Sequence, residues 1–174
     1  MKIKIIILAL VSLASCKALD KLTMFDLKYD AWFTVPENAI VNMPIDLTSP
    51  EVTTDTEEQF AIHDTRKDLI ESIKLKTLTL HIENAGYTFR FLKSVELFMK
   101  ADGLPEIKVA EKIVIPDDAG NMLALDVTDK DLSEYLKKDK ISLRAKTVTD
   151  EALTEDLRVK IHSVFRVDAK ILGL

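Results

Sequence analysis

The chain has 174 residues, 47% hydrophobic and 30% charged, with a formal net charge of −5 and one cysteine. That length suits one ordinary domain able to bury a sizeable core. The acidity speaks against nucleic acid, because neutralising phosphates needs a basic face, and a single cysteine excludes an intrachain disulfide framework.

Lys2 and Lys4 precede an apolar run over residues 5–11, continued by Ser12 and Leu13. The run is well short of the roughly 20 residues a membrane-spanning helix needs, and it has the layout of a secretory signal. It ends in Leu13-Ala14-Ser15-Cys16, which resembles the lipobox of bacterial lipoproteins. The resemblance implies that Cys16 receives a diacylglycerol, that the leader is cut before it, and that Cys16 heads a mature chain held at the membrane by lipid. Removing residues 1–15 leaves 159 residues and takes away Lys2 and Lys4, so the formal charge moves from −5 to −7. Acylation also explains the odd cysteine of an exported chain, and each buried methylene adds about 0.8 kcal/mol to anchoring. In lipoprotein sorting an Asp after the lipidated Cys favours the inner membrane. Lys17 stands there instead, which points to the outer membrane and leaves the periplasmic and external faces open. The chain as a whole resembles the small lipoproteins common in Bacteroidetes. The expected organisation is a signal peptide at 1–15, a lipidated tether at 16–24 and one folded domain at 25–174.

Phe25, Leu27, Tyr29, Ala31 and Phe33 alternate with Asp26, Lys28, Asp30, Trp32 and Thr34, the period of a strand with one buried face. Val41, Met43, Ile45 and Leu47 repeat it, with Pro44 marking an edge or bulged strand. Residues 48–58 read as a long polar loop and 60–63 as a short strand. Asp64 is placed to cap a short helix over 64–72. In 73–84 the apolar parity switches at Lys76-Thr77, which predicts a bulge. Asn84-Ala85-Gly86 is a turn. A strand over 90–102 meets the hairpin signal Asp102-Gly103-Leu104-Pro105 and returns through Ile107, Val109, Ile113 and Ile115. Glu111 interrupts that face and suggests the neighbourhood of a sheet edge. After the turn at 116–121 come a short strand over 122–127 and a helix capped by Thr128 or Asp129 and running to about Lys138. A strand through Ile141, Leu143 and Ala145 follows. The last strand has apolar or small residues at every second position from Leu157 to Ile171. It would exceed about 45 Å if straight, so a bend or a change of sheet is expected.

About eight strands with hairpin-length connections and two short helices call for an antiparallel all-β fold. Two helices cannot cover that much sheet, so two sheets must cover each other. The reading is a β-sandwich, immunoglobulin-like only in the broad sense because the Cys…Trp…Cys pattern is missing; a β-barrel is the alternative.

No catalytic constellation stands out, and the chain reads as non-enzymatic with no cofactor. There is no Gly-x-Ser-x-Gly elbow, and the one cysteine is taken by lipid. His81 and His162 fall on polar strand faces, where two histidines can meet, but no spacing here resembles a zinc site. Asp117, Asp118 and Asn121 lack the ligand order of a calcium loop and read as a turn. Trp32 is the anomaly: it shares the solvent parity of Asp26, Lys28 and Asp30, as a sugar platform or interface anchor does, and it is the candidate ligand or partner contact. Two functions follow. One is a lipid-anchored envelope module that binds a protein or plays a structural part. The other is a glycan- or small-ligand-binding lipoprotein serving a transporter or surface enzyme.

Overall fold

The structure, a computed structural model, describes residues 23–170. Cys16, the signal segment and the tether up to residue 22 lie outside the described residues. Ten strands form two antiparallel sheets, and their apolar faces share one core. The fold is the two-sheet β-sandwich expected from the alternation; no pairing among the described residues closes it into a barrel.

The first sheet is ordered β1 (Met24–Val35), β10 (Leu157–Ala169), β4 (Ile70–Ile82) and β7 (Met122–Ala124). In β1 the alternation holds: Leu27, Ala31, Phe33 and Val35 are buried. β10 does not change sheet. It pairs β1 on one side and β4 on the other along its whole length, and every second residue from Leu157 to Ala169 is buried. Leaving the sheet would expose part of that apolar face. The expected bulge sits on β4, where Lys76 is the extra residue between Leu75↔Phe165 and Thr77↔Val164.

The second sheet is ordered β2 (Pro44–Thr48), β9 (Lys140–Thr149), β5 (Leu92–Ala101), β6 (Ile107–Lys112) and β8 (Asp126–Val127), with β3 (Val52–Thr53) also pairing β9. Pro44 opens an edge strand, as its missing N–H requires. β6 is shorter than the apolar pattern suggests. A bulge opposite Leu97–Phe98 buries both Val109 and Ala110 and reverses the parity. Glu111 then faces outward to Lys108 at 2.6 Å, beside the two-residue edge strand β8. Ile113 and Val114 leave the sheet 59% and 75% exposed.

Four local expectations are corrected. Residues 60–63 are not a strand: Thr56–Ile62 is a helix, α1, because Thr56 and Phe60, four apart, are the two residues it buries. Asp64 caps no following helix. It closes α1 in the left-handed region at φ 52° and its N–H bonds Ala61 O at 3.2 Å, while only a 3₁₀ turn, Lys67–Leu69, follows. Residues 122–127 form two strands, because the chain crosses from the first sheet to the second at buried Leu125. The second helix, α2, is only Ser133–Leu136. Neither Thr128 nor Asp129 caps it: Leu132 holds the cap position, and Asp131 just before it accepts the Ser133 N–H at 3.0 Å and the Ile73 N–H at 3.1 Å.

Register defines two ends. At one, Met24 meets Asp168 and Ile70 meets Ala169, so the chain enters and the last strand leaves there. α1 and α2 close this root. Tyr29 donates its hydroxyl to Thr54 O, and Tyr135 donates to Pro105 O at 2.6 Å. At the opposite end, the tip, Val35 meets Leu157, Pro44 meets Val148 and Val95 meets Lys112. Four loops meet at the tip: 36–43, 83–91, 113–121 and 150–156.

Candidate partner-binding surface

The tip loops are tied together by their backbones. Asn42 N–H donates to Thr149 O at 2.7 Å, Asp150 N–H to Phe91 O at 2.9 Å, Phe89 N–H to Gly120 O at 2.9 Å, and Ile115 N–H to Lys93 O at 3.1 Å. Lys93 also reaches Asn42 Oδ1 at 2.5 Å. These bonds hold the loops in place and leave their apolar side chains outside. Seven large hydrophobic residues are exposed among the described residues, and five belong to the tip: Ile40, Met43, Ile113, Val114 and Met122. Across β2-β9-β5-β6, about three strand spacings or 14 Å, Ile40 and Met43 lie on one side of Lys93 and Ile113 and Val114 on the other.

Both ends are acidic. The four tip loops hold eight acids (Glu37, Glu83, Asp117, Asp118, Asp150, Glu151, Glu155, Asp156) and Arg90, with Lys93, Lys112 and Arg158 at the strand ends beside them. The root segments 49–51, 54–69, 102–106, 128–139 and Lys170 hold twelve acids and six bases. Thr149 Oγ1 and Asp150 Oδ1, at the tip end of β9, are buried without a hydrogen-bond partner, a cost of about 1–3 kcal/mol for each such group.

Trp32 has the outward parity expected of it, yet it is only half-exposed. Its indole N–H donates to Glu83 Oε1 at 3.2 Å. Arg158 and Lys160 of β10 stand 5.5 and 5.6 Å from the ring centroid. Glu83 follows β4, two strands in from the edge strand that carries Trp32, so the indole lies across β10 and pins the edge to the sheet. Its neighbour Asp30 takes Lys160 at 2.8 Å and His162 at 2.6 Å. Burial pushes the Asp30 carboxyl up, but those two partners hold it below its ordinary value. On the same face, Arg166, at 2.5 Å, and Lys76, at 3.0 Å, hold Asp26 low.

The histidines do not gather. His63 stacks on Phe25 at 3.9 Å, His81 Nε2 meets Asn121 Nδ2 at 3.3 Å, and His162 belongs to Asp30. His81 and His162 are diagonal neighbours on adjacent strands, each with its own partner. No three His, Cys, Asp or Glu among the described residues are grouped to hold a metal. A cleft of about 680 Å³ lies at the root between the β5–β6 turn and the start of β9. Lys100, Lys138 and Lys140 are balanced in it by Glu51, Asp102 and Asp139, and Lys140 is paired to Glu51 at 3.0 Å. Asp117 and Asp118 form a turn in the tip loop 113–121, closed by the Ala119 N–H on Pro116 O at 3.0 Å, and Asn121 lies beyond it. Sequence reasoning passed over the exposed Ile113-Val114 pair; its signal was the failure of alternation after Glu111.

No family model and no curated protein matches this chain. Solved structures of similar outline include a Clostridium perfringens domain, CpGH89CBM32-5, in complex with GalNAc-β-1,3-galactose, with 10% identity, 82% of this chain and 97% of that chain covered, and a TM-score of 0.37. The empty capsid of Triatoma virus gives 9% identity, 88% and 94% coverage, and a TM-score of 0.36. Desmodium yellow mottle tymovirus gives 11% identity, 87% and 91% coverage, and a TM-score of 0.29. Likeness at this level carries no inference about function.

Proposed function

We propose that this chain is a non-catalytic, lipid-anchored protein of the bacterial cell envelope, tethered through Cys16 and presenting the tip of its sandwich to a protein partner. The observation that carries this reading is the opposition of the two ends: the described chain begins at the root, and of the seven exposed large hydrophobics among the described residues five lie at the tip. A lipid on Cys16, seven residues before Thr23, holds the root near the bilayer and turns the tip away from it. Scattered single apolar residues on a surface need no explanation; here two exposed pairs, Ile40 with Met43 and Ile113 with Val114, flank Lys93 at one end of the sandwich. Lys17 after Cys16 supports an outer-membrane address. The glycan-binding alternative has less support, since the Trp32 ring is already engaged by Arg158, Lys160 and Glu83.

The test is site-specific photo-cross-linking in cells, with the cross-linking residue at Ile113 in one strain and at Lys138 in another. Protein adducts from position 113 and none from 138 are expected. Adducts from 138 alone, or from neither position, contradict the reading.

A further inference from the structure

We propose that the outer edge of β1 is a second protein-binding site, which takes an antiparallel strand contributed by another protein. It is separate from the tip and does not depend on it. The sheet is open on this side: β1 ends the order β1-β10-β4-β7 and pairs β10 alone. The direction of its backbone groups follows from the next ladder. Glu83 N–H donates to Arg158 O, and Lys170 N–H donates to Leu69 O. The even-numbered residues of β10 therefore turn their N–H and C=O toward β4, and the odd-numbered ones turn theirs toward β1. Opposite those odd-numbered residues stand Phe25, Leu27, Tyr29, Ala31, Phe33 and Val35. Asp26, Lys28, Asp30, Trp32 and Thr34 are left pointing their backbone groups out of the sheet, where these groups have no hydrogen-bond partner among the described residues. Donors and acceptors repeating every second residue, about 6.8 Å, are the complement of another extended backbone.

Proteins blunt such edges with short strands, prolines, bulges or charges. β1 runs for 12 residues without proline, glycine or a bulge against β10. The other edges are short: β7 has three residues, β8 and β3 two each, and β2 five beginning with Pro44. The Trp32 indole lies back over β10 and leaves the edge of β1 clear. Beside Asp26–Tyr29 the edge borders a groove of about 420 Å³ walled by Thr53, Thr54, Asp55 and Gln59, which gives room for the inward side chains of an added strand. Lys28 is exposed and has no ion-pair partner among the described residues, whereas Asp26 holds Arg166 and Lys76 and Asp30 holds Lys160 and His162. A carboxylate across from Lys28 is therefore favoured and a base disfavoured. A second copy does not fit. Antiparallel pairing through β1 would set the two roots at opposite ends, about 40 Å apart, while the seven residues from Cys16 to Thr23 reach at most about 25 Å. That step alone rests on the lipid anchor.

The test reads amide hydrogen exchange along β1 in the lipidated chain in detergent micelles. In the free protein the Asp26, Lys28, Asp30, Trp32 and Thr34 amides should exchange about tenfold or more faster than those of their odd-numbered neighbours. Equally slow exchange of both sets means that the edge is already covered, by a second copy if the slowing depends on protein concentration, and overturns the inference. The probe is a nine-residue peptide that alternates Thr and Val, with one central Glu on the Thr face. It should slow the Asp26, Lys28, Asp30 and Trp32 amides about tenfold and bind several-fold more tightly than the same peptide with a central Lys. Lys28→Glu should reverse that preference. With its Glu on the face of Lys28, an antiparallel peptide turns its Thr and Glu amides toward β1. Methylating those nitrogens should abolish binding, and methylating the Val nitrogens should leave it. Lys28→Pro removes an outward N–H and no bond to β10, so it should abolish binding while the thermal midpoint moves by less than about 5 °C. No protection by the Glu peptide, equal effects of the two methylated forms, or unchanged binding to folded Lys28→Pro overturns the inference. Adducts at Ile113 report on the tip alone, so failure of one surface is distinguished from failure of the other.

Discussion

The root and the tip close the same sandwich in opposite ways. At the root, α1 and α2 bring Phe60, Leu132 and Leu136 to 0% exposure, and Asp131 fastens α2 to β4 through Ser133 and Ile73. At the tip no α-helix intervenes. Backbone bonds join the loops, and Ile40, Met43, Ile113 and Val114 stay outside. The root puts most of its apolar residues into the core, leaving Ile62 and Met24 exposed, and the tip leaves Ile40, Met43, Ile113 and Val114 at the surface. The difference separates residues that hold the fold from residues free to serve a partner, and substitutions at the two ends should separate the same way.

The largest expected effect is at the root. Phe60→Ala empties a fully buried site against Phe25, whose ring lies 6.2 Å away, and should cost about 3–5 kcal/mol. Thermal unfolding should show a midpoint lowered by about 10 °C or more. Asp131→Ala removes the carboxylate that ties the start of α2 to β4 and should cost about 1–2 kcal/mol, read from urea midpoints. The same residue gives a pH test. Burial pushes its carboxyl up, but the Ser133 hydroxyl and the Ile73 and Ser133 N–H groups hold it below 3.8. A carboxyl lower in the folded state than in the unfolded one stabilises above the unfolded value and loses that contribution as pH falls through the folded value. Wild-type stability should therefore decline below about pH 4, and the decline should be shallower in Asp131→Ala. Trp32→Ala removes the pin across β10 and should cost about 1 kcal/mol, with local amide exchange rising along β1. The smallest effect is at the tip: Ile113→Ser with Val114→Ser should change stability by about 0.5 kcal/mol or less while abolishing protein adducts from a cross-linker at Ile40. A loss of stability as large as that of Phe60→Ala would mean that these residues hold the fold.

Much of the sandwich was legible because burial on one face leaves a period of two. β1, β9 and β10 declare themselves this way, and the parity switch at Lys76-Thr77 marked the bulge on β4. Sheet membership was not legible, because periodicity is local and pairing is not. Residues 122–127 read as one strand, yet Leu125 is where the chain changes sheets. The short run at 60–63 fits either period, and only packing of Phe60 against Phe25 decides for helix. Arg144 was equally hidden. Its guanidinium stands 4.4 Å from the Phe98 ring centroid and bonds Glu106 and Asp46, tying three strands and a hairpin turn that are remote in sequence. Trp32 was read correctly as outward-facing, but the side chains that engage it come from positions 83, 158 and 160. The tip was missed because an exposed apolar residue looks like any strand residue until the strand is seen to end before it.

The polarity of the molecule is most directly measured by energy transfer from a dye at the bilayer surface to a label on the lipidated protein in vesicles. Cys16 is the only cysteine in the sequence and under the proposed anchoring carries the lipid, so Asp139→Cys at the root and Asp118→Cys at the tip can each be labelled alone. Strands of 12 and 13 residues separate the ends by about 40 Å. Strong transfer at residue 139 and weak transfer at residue 118 is the result expected of a root-anchored domain with its tip presented outward. Equal transfer at both positions, or stronger transfer at residue 118, would contradict it.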